Sequence, residues 1–426
     1  MGGARVAPLE GGAALPSDET QTSAVAAPAM GGAKVAPSDS GAARPSDKAL
    51  RALRTMRTLR TMWTLQSLAP VGPPIALRKK GTMRSLAAGG NGAEEDVAFD
   101  VDEHSLLTNL CRASYLDPDS AQYWAEGPKG DGCYCDFGGE ADPPCLRGAL
   151  KFGLGSGVEH ELLEFHNHER SDTQAFFAAP VAAPSELVIS MRGTNGLTDA
   201  FTDLKFAKTL WEPEEDSYEE FEACFACCRE TACGSGTPNV HWGAYKSFLT
   251  LKDALKRHGT FARKGGLTKI TVCGHSLGGI LATFAFAYLL QLNGPRRLAE
   301  AGVKCTLYTI GSGRPGNSGF KAHLEALLKP LQDKGLGRIL RLVNDLDVIP
   351  RLPPFSRFGY THVGELYMFT DSKREDPPHP GKALLFVGGQ QDKANTSTLE
   401  SIKRCGELMG DHCGLAYLKC VQDQRR

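Results

Sequence analysis

The sequence predicts an α/β fold, a mostly parallel central sheet flanked by helices, over residues 96–426, behind a polar extension over residues 1–95. Three observations carry that expectation. Short apolar runs bounded by Gly, Pro or charged residues read as strands, helix-length apolar stretches separate the later runs, and the composition changes abruptly near residue 95. Strands that alternate with helices imply parallel neighbours covered on both faces.

In chain order, residues 106–115 read as a helix, followed by a Gly/Cys/Pro-rich loop over 127–144. Strands are expected at 175–177, 187–191, 269–273, 307–310 and 339–343, with late strands at one edge over 366–369 and 383–387. Helices are expected at 243–257, 279–292 and 320–331. The first 95 residues are rich in Ala, Gly, Pro and Ser and nearly repeat Gly2–Pro8 at Gly31–Pro37. Within them Leu50, Leu53, Met56, Leu59, Met62 and Leu65 alternate with Arg51, Arg54, Arg57 and Arg60, and no acid occurs from Lys48 to Ala93. An Arg-rich, acid-poor leader resembles an organelle transit peptide, plastid or mitochondrial; the alternative is a plain low-complexity tail.

Composition narrows the function classes. Lys and Arg number 48 against 49 Asp and Glu, a net charge of −1, so no global field favours a nucleic-acid partner. No apolar run approaches the roughly 18 residues that a membrane-spanning helix needs. Thirteen cysteines are too dilute in 426 residues for a disulfide scaffold, and their odd number leaves at least one unpaired within a monomer.

The strongest chemical signal is the strand-like Ile270–Cys273 leading into Gly274-His275-Ser276-Leu277-Gly278-Gly279 and then an apolar helix. This is G-x-S-x-G in the context the chemistry requires: a strained turn between strand and helix presents the serine hydroxyl at the carboxyl edge of the sheet. A chance match in a chain with 48 glycines is the bland alternative, and the flanking strand and helix argue against it. A serine hydroxyl is a weak nucleophile at neutral pH, so an imidazole must take its proton and a carboxylate must hold that imidazole, both expected later in the chain.

Several further segments agree with one known family. Leu187–Met191 followed by Arg192-Gly193-Thr194 is similar to a strand ending in Arg-Gly-Ser/Thr, and Val240-His241-Trp242-Gly243 to a V-H-x-G block. Tyr308-Thr309-Ile310-Gly311 with Arg314-Pro315-Gly316-Asn317, and Asn344–Pro354 with its Asp-Val-Ile-Pro core, match two later blocks. Over about residues 100–420 the chain resembles the class 3 (fungal-type) lipases, α/β-hydrolases that cleave carboxylic esters of lipids without a cofactor. The resemblance implies an acylglycerol or related lipid as substrate, met at a membrane or lipid-droplet surface. Triacylglycerol lipases, phospholipases A1 and galactolipases share these blocks.

Roles then follow from resemblance as much as from residues. Asp345 and Asp347 both suit the acid, since residues two apart in an extended segment face the same way, and the family pattern favours Asp347. Among His362, His379 and His412, the Asp411-His412…Tyr417 block resembles the family's terminal D-H-x-x-Y and points to His412 as base, although its spacing is longer. The oxyanion donors are expected from Leu277, after the nucleophile, and Thr194. His275 and Arg192 are expected to be structural.

Leu197, Ala200, Phe201, Leu204, Ala207 and Trp211 fall on one helical face, a lid or a helix packed on the core. Residues 212–236 form an acidic insert with Cys224, Cys227, Cys228 and Cys233 that the family pattern does not explain; with no clear second pair it reads as a surface loop rather than a metal site. Gly311-x-Gly313-x-x-Gly316 imitates a dinucleotide fingerprint but comes late in the chain and lacks the following acid. His160-Glu161 with His166 and His168 lacks the i, i+4 histidine of a zinc motif and suits a strand face. No cofactor and no metal is therefore expected. The rival from another class is a lipase-like binding or scaffold protein without turnover.

Overall fold

The computed structural model describes residues 99–119, 145–193, 207–216, 218, 236–263, 266–344, 347–353, 359–371, 382–388 and 412–425. The extension over 1–95 and most of the Cys-rich insert lie outside the described residues, as do Thr194, Asp345 and His379.

An eight-stranded sheet organises the described chain. Its strands are β1 (His160–His168), β2 (Thr173–Pro180), β3 (Glu186–Met191), β6 (Lys269–His275), β7 (Lys304–Ile310), β9 (Gly337–Asn344), β11 (Glu365–Asp371) and β12 (Lys382–Gly388). They lie side by side in that order, antiparallel from β1 to β3 and between β11 and β12, and parallel across the middle. The α/β fold expected from the sequence is thus present, with the last two strands at one edge. Four short strands, β4 (Lys208–Leu210), β5 (Asn239–His241), β8 (Gly316–Asn317) and β10 (Tyr360–Thr361), form a second sheet in the order β10-β8-β5-β4.

Helices cover the large sheet on both faces. Alternate residues of one strand enter different cores: Ala175 and Phe177 join the cluster that holds Val272, Leu307 and Phe284, whereas Phe176 and Ala178 join Leu110, Tyr308 and Leu340. Helix α1 (Val101–Ala113) and the C-terminal helix α8 (Gly414–Gln422) pack together on the second of these faces. Asp100 caps α1 by accepting the backbone N–H groups of Asp102 and Glu103, which starts the helix five residues earlier than its apolar pattern alone suggests.

On the other face α5 (Leu277–Asn293) is buried almost all round, as its largely apolar composition requires. The predicted helix over 243–257 is two helices, α3 (Trp242–Leu249) and α4 (Lys252–His258). The Thr250 and Leu251 N–H groups bond three residues back, and the Thr250 hydroxyl donates to the Ser247 carbonyl, which tightens and ends the first helix.

One expectation is corrected. The helical face drawn through Trp211 fails at its end, because Lys208–Leu210 is a strand paired with Asn239–His241. Trp211 is buried against Tyr245, Phe248, Phe284 and Phe320, and its indole N–H donates to Gln291 Oε1 at 3.0 Å. An indole with so many aromatic neighbours is a core anchor, and the backbone beside it follows the strand ladder. The 197–206 part of that face lies outside the described residues.

Candidate active site

The carboxyl ends of β3, β6, β7 and β9 meet at one rim of the sheet, and the residues singled out by sequence gather there. Strand β6 ends at His275 and α5 begins at Leu277, so Ser276 alone makes the turn, with φ 59 and ψ −128. A non-glycine residue in that region costs of order 1–3 kcal/mol and persists only where its surroundings impose it. Here the Ser276 N–H donates to the Ile310 carbonyl at 3.1 Å, and its own carbonyl accepts the Gly279 N–H at 3.0 Å. Gly278 lets the helix press on β3, where a Cβ would strike the Met191 carbonyl. Leu277, the first residue of α5, has no intrahelical carbonyl to receive its N–H, which is the condition for an oxyanion donor.

Asp347 follows β9 in the loop before the turn Ile349–Arg351 and is fully buried. Its carboxylate accepts three hydrogen bonds: from His412 Nδ1 at 2.7 Å and the Tyr417 hydroxyl at 2.7 Å, both on Oδ2, and from the Ile349 N–H at 2.9 Å on Oδ1. Tyr417 also accepts the Asn344 N–H at 3.0 Å, so one phenol ties the end of β9 to the carboxylate. Because a carboxylate only accepts, the His412 ring proton sits on Nδ1 and the lone pair of the neutral ring is on Nε2. That Nε2 is buried and makes no hydrogen bond, the state required of a base before a proton reaches it. Cys413, next to His412, is disulfide-bonded, and its partner is not among the described residues.

The glycine pattern at 311–316 finds a physical reason here. Gly311 follows β7 with φ +57, and a Cβ on it would stand 2.8 Å from Asp347 Oδ2 and 3.1 Å from His412 Nδ1. The position is glycine because the carboxylate–imidazole pair lies directly on the backbone.

The structure brings Ser276, Leu277, Asp347 and His412 to one end of the sheet: the His412 ring packs on His275, the residue before the serine, with centroids 4.6 Å apart. His362 is elsewhere engaged, its Nε2 2.6 Å from the Pro350 carbonyl oxygen. Burial, then the charges of Arg341 and Arg314, hold its pKa well below the ordinary imidazole value. Arg192 is buried and pairs with Asp172 and Gln174, while its Nε–H donates to the Gly193 carbonyl at 3.1 Å. His160–His168 forms the edge strand β1, and Glu164 there pairs with Arg257 and His258. Among the described residues no three His, Cys, Asp or Glu side chains gather as a metal site, and no helix is long and apolar enough to cross a membrane.

Sequence reasoning assigned no role to Tyr417, Gly311 or Tyr115. The presence of Tyr417 in the terminal block was a usable signal. Tyr115 had none, lying 160 positions before the histidine it contacts.

Residues 188–357 match the family model described as Lipase (class 3). Among curated relatives, the chain is 29% identical over 192 residues to a secreted mono- and diacylglycerol lipase 1 of Fusarium solani, covering 45% of this chain and 46% of that protein. It is 42% identical over 123 residues to phospholipase A1-II 6 of Oryza sativa subsp. japonica, 28% of each. It thus spans less than half the length of these relatives. A solved structure of lipase II from Rhizopus niveus aligns at a TM-score of 0.41 with 20% identity, over 63% of this chain and 80% of that one.

Proposed function

We propose that the protein, whose residues 188–357 match the class 3 lipase family model, hydrolyses carboxylic esters of glycerolipids, with Ser276 as nucleophile, His412 as general base and Asp347 as the group that orients it. The observation that carries this reading is the buried 2.7 Å contact between His412 Nδ1 and Asp347 Oδ2 beside the strained Ser276 turn, with His412 Nε2 left open. A carboxylate buried to this degree is costly unless its oxygens are hydrogen-bonded, and Asp347 has its three donors.

In this scheme the Ser276 oxygen attacks the ester carbonyl carbon while His412 Nε2 takes the hydroxyl proton, and Asp347 stabilises the imidazolium that forms. Negative charge collects on the former carbonyl oxygen, and the backbone N–H groups of Leu277 and Thr194 are the donors assigned to it in this proposal; losing one such donor typically costs about 3 to 4 kcal/mol of transition-state stabilisation. Collapse expels the alcohol, which receives the proton from His412 and leaves an acyl group on Ser276. Water then attacks the acyl-enzyme with His412 again as base, releasing the fatty acid. Every step is a proton transfer or an acyl transfer, so no metal or redox group enters.

The substrate is proposed as an acylglycerol or a phospholipid, the two classes that the names of the similar proteins carry. The near-neutral net charge gives the whole chain no bias toward an anionic headgroup, so a panel of mono-, di- and triacylglycerols, phosphatidylcholine and galactolipid is the measurement that chooses among them. The prior test is covalent: a fluorophosphonate probe should label the wild type and leave Ser276→Ala unlabelled. Wild type that neither reacts with the probe nor releases fatty acid from any member of the panel would leave the scaffold reading in its place.

A further inference from the structure

His275 is buried, with a hydrogen bond at each ring nitrogen: Nε2 is 2.7 Å from the His412 carbonyl oxygen and Nδ1 is 2.8 Å from the Tyr115 hydroxyl. A carbonyl can only accept, so the ring proton sits on Nε2, and in a neutral ring Nδ1 is then an acceptor. Burial, with the neighbouring His412 adding to it, keeps the ring neutral by lowering its pKa to about 3. The Tyr115 hydroxyl therefore donates to Nδ1, and its oxygen accepts the Gly193 N–H at 3.2 Å. The direction of every bond is determined by its partners: Gly193 N–H to Tyr115 oxygen, Tyr115 O–H to His275 Nδ1, His275 Nε2–H to His412 carbonyl.

This chain of bonds links four separate segments: the turn after α1, the loop after β3, the end of β6, and His412, two residues before α8. Two of them carry residues of the proposed machinery, and a third leads into Thr194. Packing around the hydroxyl is close, since a Cβ at Gly193 would fall 2.5 Å from the Tyr115 oxygen and 2.9 Å from Ser276 Cβ. Gly193 is gripped from both sides, its N–H by Tyr115 and its carbonyl by Arg192 Nε.

Resting on the hydrolase reading above, we propose that Tyr115 is a positioning residue for ester hydrolysis: one hydroxyl sets the backbone that leads to the second oxyanion donor and, through His275, the backbone that carries the base. Neither Tyr115 nor His275 touches the ester. Their role is to hold the oxyanion loop and the base in one register with the serine, so their loss acts on the transition state more than on substrate binding.

The test is Tyr115→Phe in the full chain, which removes one O–H and keeps the ring. With a short-chain p-nitrophenyl ester, kcat should fall roughly ten- to a hundred-fold, the range expected of a misplacement near 1 Å, with KM nearly unchanged. Affinity for an alkyl boronic acid, which mimics the tetrahedral adduct, should fall in parallel with kcat. A variant that keeps kcat within about twofold of wild type, or loses it together with KM in a general loss of fold, overturns the proposal. A second measurement needs no variant: in wild type labelled with ¹⁵N at histidine, His275 should be the Nε2–H tautomer and should not titrate as the pH passes the usual imidazole value of about 6.5. An Nδ1–H tautomer, or titration near that value, breaks the network and the proposal with it. Wild type without turnover overturns this inference and the hydrolase reading together, whereas an active wild type with an equally active Tyr115→Phe overturns this inference alone.

Discussion

Replacing Asp347 by Asn changes one oxygen to an amide nitrogen at constant shape, in a site where every neighbour donates. Oδ1 faces the Ile349 N–H and Oδ2 faces both His412 Nδ1 and the Tyr417 hydroxyl. Turning the amide nitrogen toward Ile349 sets two donors against each other in a fully buried position, so the favourable orientation places it toward His412 and Tyr417. The amide then donates to His412 Nδ1, the ring proton moves to Nε2, and the lone pair that should receive the serine proton is gone. A wrong tautomer of this kind costs about 10³- to 10⁴-fold in kcat, or roughly 4 to 5.5 kcal/mol of activation free energy. The Tyr417 hydroxyl, already accepting from the Asn344 N–H, loses its acceptor, which should lower stability by about 1–3 kcal/mol. The assay pairs initial rates on a chromogenic ester with urea unfolding of the same preparation. A folded Asp347→Asn protein that retains more than about a tenth of wild-type kcat would refute the assignment of Asp347 as the group that orients His412.

Two further outcomes follow from contacts described above. Gly311→Ala should fold less stably and lose most activity, because its φ of +57 is strained for alanine and the new Cβ falls 2.8 Å from Asp347 Oδ2; equal activity and melting temperature in the variant would contradict that packing. His241 caps α3 through a lone pair on Nδ1 that accepts the Ala244 N–H at 3.2 Å, and burial lowers its pKa to about 4. The unfolded chain, with an imidazole near 6.5, binds the proton first. The contribution of a neutral His241 is therefore complete above pH 6.5 and declines by at most about 1.4 kcal/mol per unit as the pH falls toward the folded value near 4. His241→Asn retains a capping oxygen that does not titrate, so unfolding curves should show its stability gaining on wild type across that window; a constant difference from pH 7 to 4.5 would count against the assignment.

Local pattern carried the fold a long way. The central strands and α5 were legible because a short, mostly apolar run bounded by Gly, Pro or charge, or a longer apolar stretch of helical length, reports its own conformation, and the Gly274–Gly279 turn could be read because it lies between two such runs. The second sheet was not. Lys208–Leu210, Asn239–His241, Gly316–Asn317 and Tyr360–Thr361 are too short to show a period, and their partners lie far away in sequence. Trp211 was misassigned because three- and four-residue spacing of apolar groups is compatible with a helix even when the backbone is held in a ladder. The break at Thr250 was likewise hidden, since it depends on a hydroxyl that chooses the Ser247 carbonyl over solvent.

What the chain determined unaided was the order of its central elements and the strand–Ser276–helix turn, because those depend on neighbours a few positions apart. Tertiary structure decided which distant groups meet: that His412 takes Asp347 while His362 takes the Pro350 carbonyl, that Gly311 makes room for the pair, and that Tyr115 reaches both Gly193 and His275. Hydrogen bonds between remote segments leave no periodic trace in a sequence, since their existence depends on how whole layers pack and on the burial that deprives each polar group of water.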